Sequence, residues 1–191
     1  MTRSAGLAPE MTEMVIQTIK QVVARELPDT KILELDEKDI FPLEIIEKFL
    51  SPDVGLHLIF LPESAGGLGG GARDICKISE EMARSDLGVA TAFLAICLGT
   101  DTIIVGGTDE QKAKWLSMIA EGRIVAYGVT EPEAGSNVAA LETTADPITD
   151  ADGTITGYRI NGATQWITNG GVAEICTILA KAPGGPTFFV V

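Results

Sequence analysis

One turn in the second half of the sequence carries groups suited to binding a polar ligand. Residues Ala126–Asn137 read A-Y-G-V-T-E-P-E-A-G-S-N, a short apolar run followed by a turn rich in Gly and Pro. Thr130 and Ser136 place hydroxyls in this turn, beside backbone N–H groups that a tight turn leaves unpaired. Hydroxyl and N–H donors can bind a planar or anionic ligand. The pattern alone is compatible with a ligand-binding loop, but it favours a plain connection.

A second polar segment, with Gly162–Gly170 at its centre, combines an aromatic side chain with a hydroxyl. Residues Asn161–Gly171 read N-G-A-T-Q-W-I-T-N-G-G. Trp166 can pack on a ligand ring or in the protein core, and Thr168 can bind a ligand or stabilise a turn. The residues themselves leave both pairs of alternatives open.

Together the two segments resemble the signature sequences of acyl-CoA dehydrogenases. The first is similar to the family string Tyr-x-x-Thr-Glu-Pro-x-Ala-Gly-Ser, and the second to Asn-Gly-x-Lys-x-Trp-Ile-Thr-Asn-Gly. The loop Pro62–Gly69 and the helix start Gly107–Leu116 are also similar, in the same order and spacing. The sequence departs from the family at Asn137, where Asp is usual, and at Thr164-Gln165, which replace a Lys-containing stretch. Neither departure removes a hydroxyl or an aromatic ring of the two signatures.

This resemblance implies that FAD binds at the edge of a β domain. Tyr127, Val129 and Thr130 would line the pyrimidine side of the flavin through backbone groups and the Thr130 hydroxyl. Trp166 would pack near the flavin ring, and Thr168 would form a hydrogen bond near its N5 edge. Hydrogen bonds to the ring stabilise the negative charge of reduced flavin. The expected cofactor-binding residues are therefore Tyr127, Val129, Thr130, Trp166, Ile167 and Thr168, and the expected residue contacting the CoA part of the substrate is Ser136.

The resemblance also implies a reaction, the α,β-dehydrogenation of an acyl-CoA thioester. A carboxylate removes the α proton, the β hydrogen passes as hydride to the flavin, and the electrons leave to an electron-transfer flavoprotein. In this family the base is a Glu of a C-terminal helical domain, so we expect no catalytic residue in this chain. Glu131 and Glu133 are expected to shape the turn. The alternative is a non-catalytic half-subunit that binds flavin or acyl-CoA and needs a separate C-terminal chain; the full-length form is expected to be a homo-oligomer.

The elements that position these residues begin with a block of helices. Apolar residues recur at helical spacing, and Thr108 with Gln111 forms a capping-box pattern. The helix at Leu87–Leu98 is apolar nearly all round, which is typical of a bundle core; by the resemblance it forms one wall of the acyl pocket. Five helices are predicted, at Met11–Val23, Pro42–Phe49, Ile75–Met82, Leu87–Ile104 and Lys112–Ala120.

After Arg123 the pattern changes to short runs of β-branched and aromatic residues separated by Gly, Pro and Asn-Gly pairs. The last run has no closing turn, so the β domain looks incomplete. The predicted fold is α+β: a flexible N-terminus (1–10), an all-helical bundle (11–123) and an incomplete antiparallel β-barrel or sheet domain (124–191). The predicted strands are Ile124–Val129, Leu141–Ala145, Thr154–Ile160, Thr164–Thr168, Cys176–Lys181 and Thr187–Val191.

Composition excludes several other classes of function. A net charge of −13 argues against binding a nucleic acid, which needs clustered Lys and Arg. His57 is the only histidine, so neither a metal site nor a Ser/His/Asp triad is expected. The apolar stretch Leu87–Gly99 suits a buried helix better than a membrane span. With no secretory signal pattern at the start, we expect a cytoplasmic protein with three buried, reduced thiols at Cys76, Cys97 and Cys176.

A glycine-rich stretch offers one competing interpretation. Residues Gly67–Ala72 fit the dinucleotide-binding pattern G-x-G-x-x-[G/A] and follow the apolar run Leu56–Leu61. Pro62 already breaks the step from strand to helix, and further helices follow in place of the next parallel strand. A mobile loop between helices is therefore the favoured interpretation.

Overall fold

Apolar residues at helical spacing fold the first part of the described residues into a bundle of six α-helices. The structure is a computed structural model that describes residues 6–191; residues 1–5, half of the segment expected to be flexible, lie outside the described residues. The reciprocal hydrogen bonds of Thr108 and Gln111 (2.9 and 3.2 Å) confirm the predicted capping box of the last helix. The helices are α1 (Pro9–Glu26), α2 (Asp29–Glu37), α3 (Leu43–Leu50), α4 (Ala72–Ala83), α5 (Leu87–Gly106) and α6 (Asp109–Ala120).

Helix α2 is the helix that the pattern of apolar residues does not predict. None of its residues is fully buried and only Ile32 and Leu35 pack against the core, so its apolar stripe is too short to mark a helix in the sequence. Pro28 has two roles, since it follows α1 and also stands at the N-cap position of α2. When Pro28 is interpreted only as the end of α1, the start of α2 is not predicted.

Helix α5 is the central element of the bundle. Asp86 caps it by accepting a hydrogen bond from the Val89 N–H at 2.7 Å. Phe93 on its buried face contacts Phe60 with 5.1 Å between ring centroids. Its length and composition would also suffice to cross a membrane, but half of its most apolar stretch is buried against the rest of the protein.

The second part of the chain forms an open, mixed sheet. Strand β4 pairs in parallel with β1, from Val125↔Ile175 to Gly128↔Ile178, and in antiparallel fashion with β5. Strand β2 is antiparallel to β3 and meets β4 through a single parallel pair. The α+β class is confirmed, and the sheet is mixed where wholly antiparallel pairing was predicted. The strands are β1 (Val125–Gly128), β2 (Thr144–Thr149), β3 (Ile155–Asn161), β4 (Ile175–Ala182) and β5 (Gly185–Val190).

Two strand predictions need correction. Residues Thr164–Thr168 form bends and turns, because Trp166 has a left-handed backbone (φ 58°) that a strand does not accept. The run predicted at Leu141–Ala145 reaches the sheet only at its end. Strand β2 continues through Pro147, which faces Tyr158 of β3 and was expected to separate two runs.

The glycine-rich stretch is a loop, and its interpretation as a dinucleotide site is wrong. The preceding apolar run forms a 3-10 helix, Leu56–Phe60, and not a strand. The N–H groups of Gly69 and Gly70 donate to the carbonyls of Leu61 and Ile59 at 2.9 and 2.7 Å. Since these donors are used within the protein, they are not presented to a pyrophosphate.

The thiols and the histidine occupy different environments. Cys97 is buried and Cys176 is half-buried, but Cys76 is exposed, which corrects the expectation of three buried thiols. Cys76 lies on the outer face of α4, whose inner face carries Ile78. His57 is buried, with Nε2 3.0 Å from the Ala120 carbonyl oxygen, as suits a structural histidine.

Candidate active site

The two signature segments meet in the folded chain. The Gln165 N–H donates to the Thr130 carbonyl oxygen at 2.9 Å, and the Gln165 side-chain amide lies 3.5 Å from the Glu131 carbonyl oxygen. These contacts join the turn that follows β1 to the turn that precedes β4. The neighbours of Gln165 and of Thr130 therefore share one surface.

A buried carboxylate holds the first turn in shape. Glu131 is 3% exposed, and its two oxygens accept the N–H groups of Glu142 and Thr143 at 2.6 and 2.8 Å. Its backbone also exchanges two hydrogen bonds with Ala134. Burial alone would raise the pKa of Glu131, but the hydrogen bonds from Thr143 and Glu142 and the charge of Lys181 hold it below its usual range. Glu131 therefore stays ionised and acts as a structural brace.

Three predicted site residues present unpaired groups on this surface. The hydroxyls of Thr130 and Thr168 are half-buried and form no hydrogen bond within residues 6–191. Trp166 is 84% exposed, an unusual position for a large aromatic side chain. An exposed ring beside two free hydroxyls suits a planar ligand with a polar edge.

A cleft of about 630 Å³ separates the second turn from the start of α5. The wall from the turn includes Ile167 and Thr168, and Phe41 and Pro42 bound the cleft on another side. The lining is mainly apolar and contains neither Asp nor Glu. The wall from α5 consists of Leu87, Gly88, Thr91 and Ala92.

Of the predicted site residues, only Ile167 and Thr168 line this cleft. The ring of Tyr127 lies against Phe188 of β5, with centroids 5.6 Å apart, and burial raises the pKa of its hydroxyl. Val129 is half-buried between β1 and the first turn, and Ser136 is exposed at the far end of that turn. The structure thus places Ile167 and Thr168 in the cleft and links Thr130 to the segment of Trp166 through Gln165. Tyr127, Val129 and Ser136 lie outside the cleft.

Residues of the cleft that were not predicted include Thr91 and Asn169. The Asn169 side-chain amide donates to the carbonyl oxygens of Ala92 in α5 and Val125 in β1, at 2.9 and 3.1 Å. The available signal was the Asn169-Gly170 pair, which favours a left-handed turn residue. This pair belongs to the second signature and separates two predicted strands, and neither feature predicts a role for the Asn169 side chain.

The arrangement agrees with a family of known domain structure. Residues 9–123 match the family model of the acyl-CoA dehydrogenase N-terminal domain, and residues 126–191 match that of the acyl-CoA dehydrogenase middle domain. The chain belongs to the acyl-CoA dehydrogenase family. This is a family of oxidoreductases, and the fold of nearly the whole chain is similar to that of its members.

Individual acyl-CoA dehydrogenases resemble the chain over nearly its whole length. A probable acyl-CoA dehydrogenase of Mycobacterium tuberculosis is 34% identical over 173 residues, 90% of this chain and 42% of the relative. Butyryl-CoA dehydrogenase from Megasphaera elsdenii has a TM-score of 0.82 at 30% identity, over 97% of this chain and 49% of that chain. An acyl-CoA dehydrogenase complexed with FAD from Bacillus anthracis has a TM-score of 0.79 at 31% identity, over 100% of this chain and 33% of that chain. The chain therefore spans less than half the length of these relatives.

Proposed function

We propose that this chain forms the flavin- and thioester-binding part of an FAD-dependent acyl-CoA dehydrogenase. The enzyme would carry out α,β-dehydrogenation of an acyl-CoA and pass the electrons to an electron-transfer flavoprotein. The observation that supports this most directly is the Gln165–Thr130 hydrogen bond, which joins the two signature segments. This bond links the turn that carries Thr130 to the segment that carries Trp166 and Thr168, and Thr168 lines the apolar cleft.

The groups on this surface fit the flavin ring of FAD. Trp166 offers an exposed aromatic face, and the hydroxyls of Thr130 and Thr168 can each donate to a ring nitrogen or oxygen. Bound FAD would supply the hydride acceptor for the reaction. The hydroxyls would stabilise the negative charge that develops on the ring as it accepts hydride.

Helix α5 offers an apolar surface for the acyl chain. Leu87 is 70% exposed and Leu98 is 50% exposed, and Leu94 lies between them along the helix. Leu87, in the wall of the cleft, and the two leucines that continue its face of α5 would exclude water from the Cα–Cβ bond that is oxidised. Ser136 at the edge of the first turn is available to the polar CoA part.

The general base is proposed to come from a part of the enzyme outside this chain. No carboxylate lines the cleft, and Glu131 is fixed by two backbone N–H groups at a distance from it. The same observation supports the second candidate, a half-subunit that binds flavin or acyl-CoA and obtains the base from a separate chain. In either case we propose that the complete enzyme is a homo-oligomer.

A binding experiment on the 191-residue chain tests the flavin site. FAD is titrated into the apoprotein and followed by quenching of flavin fluorescence. Thr168→Val keeps the side-chain volume but removes the hydroxyl, so we expect binding weaker by about 5–10-fold, the equivalent of roughly one hydrogen bond. Thr18→Val, which removes a hydroxyl from α1, is the matched control and should bind FAD like wild type.

Two results would contradict the proposal. One is wild-type protein that fails to bind FAD at tens of micromolar while its circular dichroism shows a folded chain. The other is equal affinity of Thr168→Val and wild type, which would remove Thr168 from the flavin site. If FAD binds, adding butyryl-CoA should change the flavin absorbance spectrum, because the two ligands are in contact.

A further inference from the structure

Asn169 connects the two walls of the cleft through its side chain. It is 4% exposed, and both hydrogens of its amide group are used, by the Ala92 carbonyl oxygen of α5 and the Val125 carbonyl oxygen of β1. Because both partners are acceptors, the amide nitrogen must face them, which fixes the orientation of the side chain. Within the described residues, the Asn169–Ala92 bond is the only hydrogen bond between α5 and the segment 162–173.

The backbone of Asn169 favours this role. Its φ of 66° is left-handed, a conformation that Asn accepts more readily than most residues. The Asn169 carbonyl oxygen also accepts the N–H groups of Val172 and Ala173 at 3.0 and 2.8 Å, which closes the turn before β4. The turn is therefore held by its own backbone, and the side chain is free to hold α5.

The two hydrogen bonds lie where they can set the width of the cleft. Ala92 lines the α5 wall, and Asn169 lies between Thr168 and Gly170 in the opposite wall. Van der Waals contact weakens steeply once surfaces separate by a fraction of an ångström, so a ligand that touches both walls depends on their spacing. The binding of a ligand that touches only the turn does not depend on the spacing of the walls.

We propose that Asn169 is a positioning residue that holds α5 at the correct distance from the flavin-binding turn, and so determines how tightly the acyl chain is held. This inference rests on the proposed function, since it assigns the α5 wall to the acyl chain and the turn to FAD. Asn169 borders the cleft, but both N–H groups of its amide bind backbone carbonyls and are not available to a ligand. It acts through Ala92 and Val125, which belong to the elements on either side.

The test compares Asn169→Gly with wild type in the complete chain. Glycine accepts the left-handed backbone, so this variant removes the two side-chain bonds without straining the turn. The control is Asp39→Gly, which makes the same type of change at an exposed residue with φ of 51°, in the loop after α2. The probes are FAD, CoA, butyryl-CoA and octanoyl-CoA, and the readout is the flavin fluorescence and absorbance spectrum.

We expect the affinity of Asn169→Gly for FAD and CoA to be within about twofold of that of wild type. Of the two acyl-CoA probes, the one that wild type binds more tightly should bind the variant about tenfold more weakly. Asp39→Gly should match wild type for all four. Hydrogen–deuterium exchange should be faster in Asn169→Gly at Leu87–Ala95, with the turn at 167–172 much less affected. A purely structural role would weaken FAD and acyl-CoA binding together and accelerate exchange throughout the chain.

The outcomes separate this inference from the function on which it rests. Unchanged acyl-CoA affinity, or unchanged exchange in α5, overturns the role of Asn169 and leaves the proposed function in place. A wild-type chain that binds neither FAD nor acyl-CoA overturns the proposed function, and the positioning role with it. In that case faster exchange in α5 would show only a mechanical link between helix and turn.

Discussion

At the scale of single residues, Glu131 and Glu133 show how position decides the role of a carboxylate. They stand two residues apart in the same signature segment. Glu133 is exposed, whereas Glu131 is enclosed and accepts the N–H groups of Glu142 and Thr143. A carboxylate that receives two backbone hydrogen bonds is a poor proton acceptor. Glu131 therefore connects the turn to the segment before β2 and is not a candidate for the general base.

Replacing Glu131 by Gln should destabilise the fold by about 1–3 kcal/mol at pH 7, because the amide NH₂ would face one of the two backbone donors and leave it without an acceptor. The folded-state pKa of Glu131 is depressed, so its stabilisation is present above the unfolded pKa of about 4.3 and is lost as pH falls through the folded value. Urea unfolding at pH 7 and pH 3 measures both effects. Glu133→Gln is the matched control and should change stability by less than about 0.5 kcal/mol.

The same comparison shows what the sequence can predict of the site. The types of Thr130, Trp166 and Thr168 and their order along the chain are visible in the sequence, and so is the resemblance that gives them a role. Their environments depend on distant partners such as Gln165, whose contact with Thr130 joins segments that are far apart in sequence. No local pattern specifies such a contact.

At the scale of elements, Gly99 lets α5 cross close to β1. A Cβ at this position would lie 2.5 Å from Val125 Cγ1 and 3.0 Å from the Ala126 carbonyl oxygen. Both neighbours belong to the strand that leads into the first turn. The absence of a side chain at Gly99 therefore brings the helix against the strand that carries the site.

Gly99→Ala should destabilise the protein by about 1–3 kcal/mol through overpacking, although alanine favours the helix by about 1 kcal/mol. Gly106→Ala in the same helix is the control, since a Cβ there meets nothing within 4 Å and should be neutral or stabilising. Thermal unfolding of the two variants measures the difference. A stabilised Gly99→Ala would show that α5 and β1 can separate without cost.

The elements that the sequence predicts are those specified by local signals. Helix α6 has its capping box at Thr108, and β3 follows the Asp152-Gly153 turn, so both are predicted closely. Helix α2 is missed because none of its residues is buried. The parallel pairing of β1 with β4 is also missed. The alternation of side chains along a strand is the same in parallel and antiparallel pairs, and the fold of the whole domain decides which strands pair.

At the scale of the whole molecule, stability depends on a few enclosed titratable groups. Asp74 is buried and accepts hydrogen bonds from Leu7, Thr12 and Gly71 at 2.9–3.1 Å, which ties the start of the described chain and α1 to α4. Burial alone would raise the pKa of Asp74, but these bonds hold it below its usual range. The stabilisation by Asp74 is thus lost only in acid, as the pH falls through the pKa that Asp74 has in the folded state.

His57 affects the stability of the fold over a different pH range. Burial lowers its pKa in the folded state, although the hydrogen bond to the Ala120 carbonyl partly opposes this, while the unfolded chain keeps a value near 6.5. As pH falls below that value, the unfolded state binds a proton that the folded state excludes, so stability decreases. Asp101 acts in the opposite direction, because burial raises its pKa and the folded state gains the proton first.

We therefore expect wild-type stability to fall between pH 7 and pH 5, and His57→Gln to show a shallower dependence in this range. Glutamine keeps a side-chain N–H that can donate to the Ala120 carbonyl oxygen but does not titrate. Since His57 is the only histidine, no second imidazole can produce the same slope. Urea unfolding at half-unit pH intervals measures it. An identical slope in His57→Gln and wild type would show that the buried imidazole accepts its proton without cost, against the low pKa that its enclosure predicts.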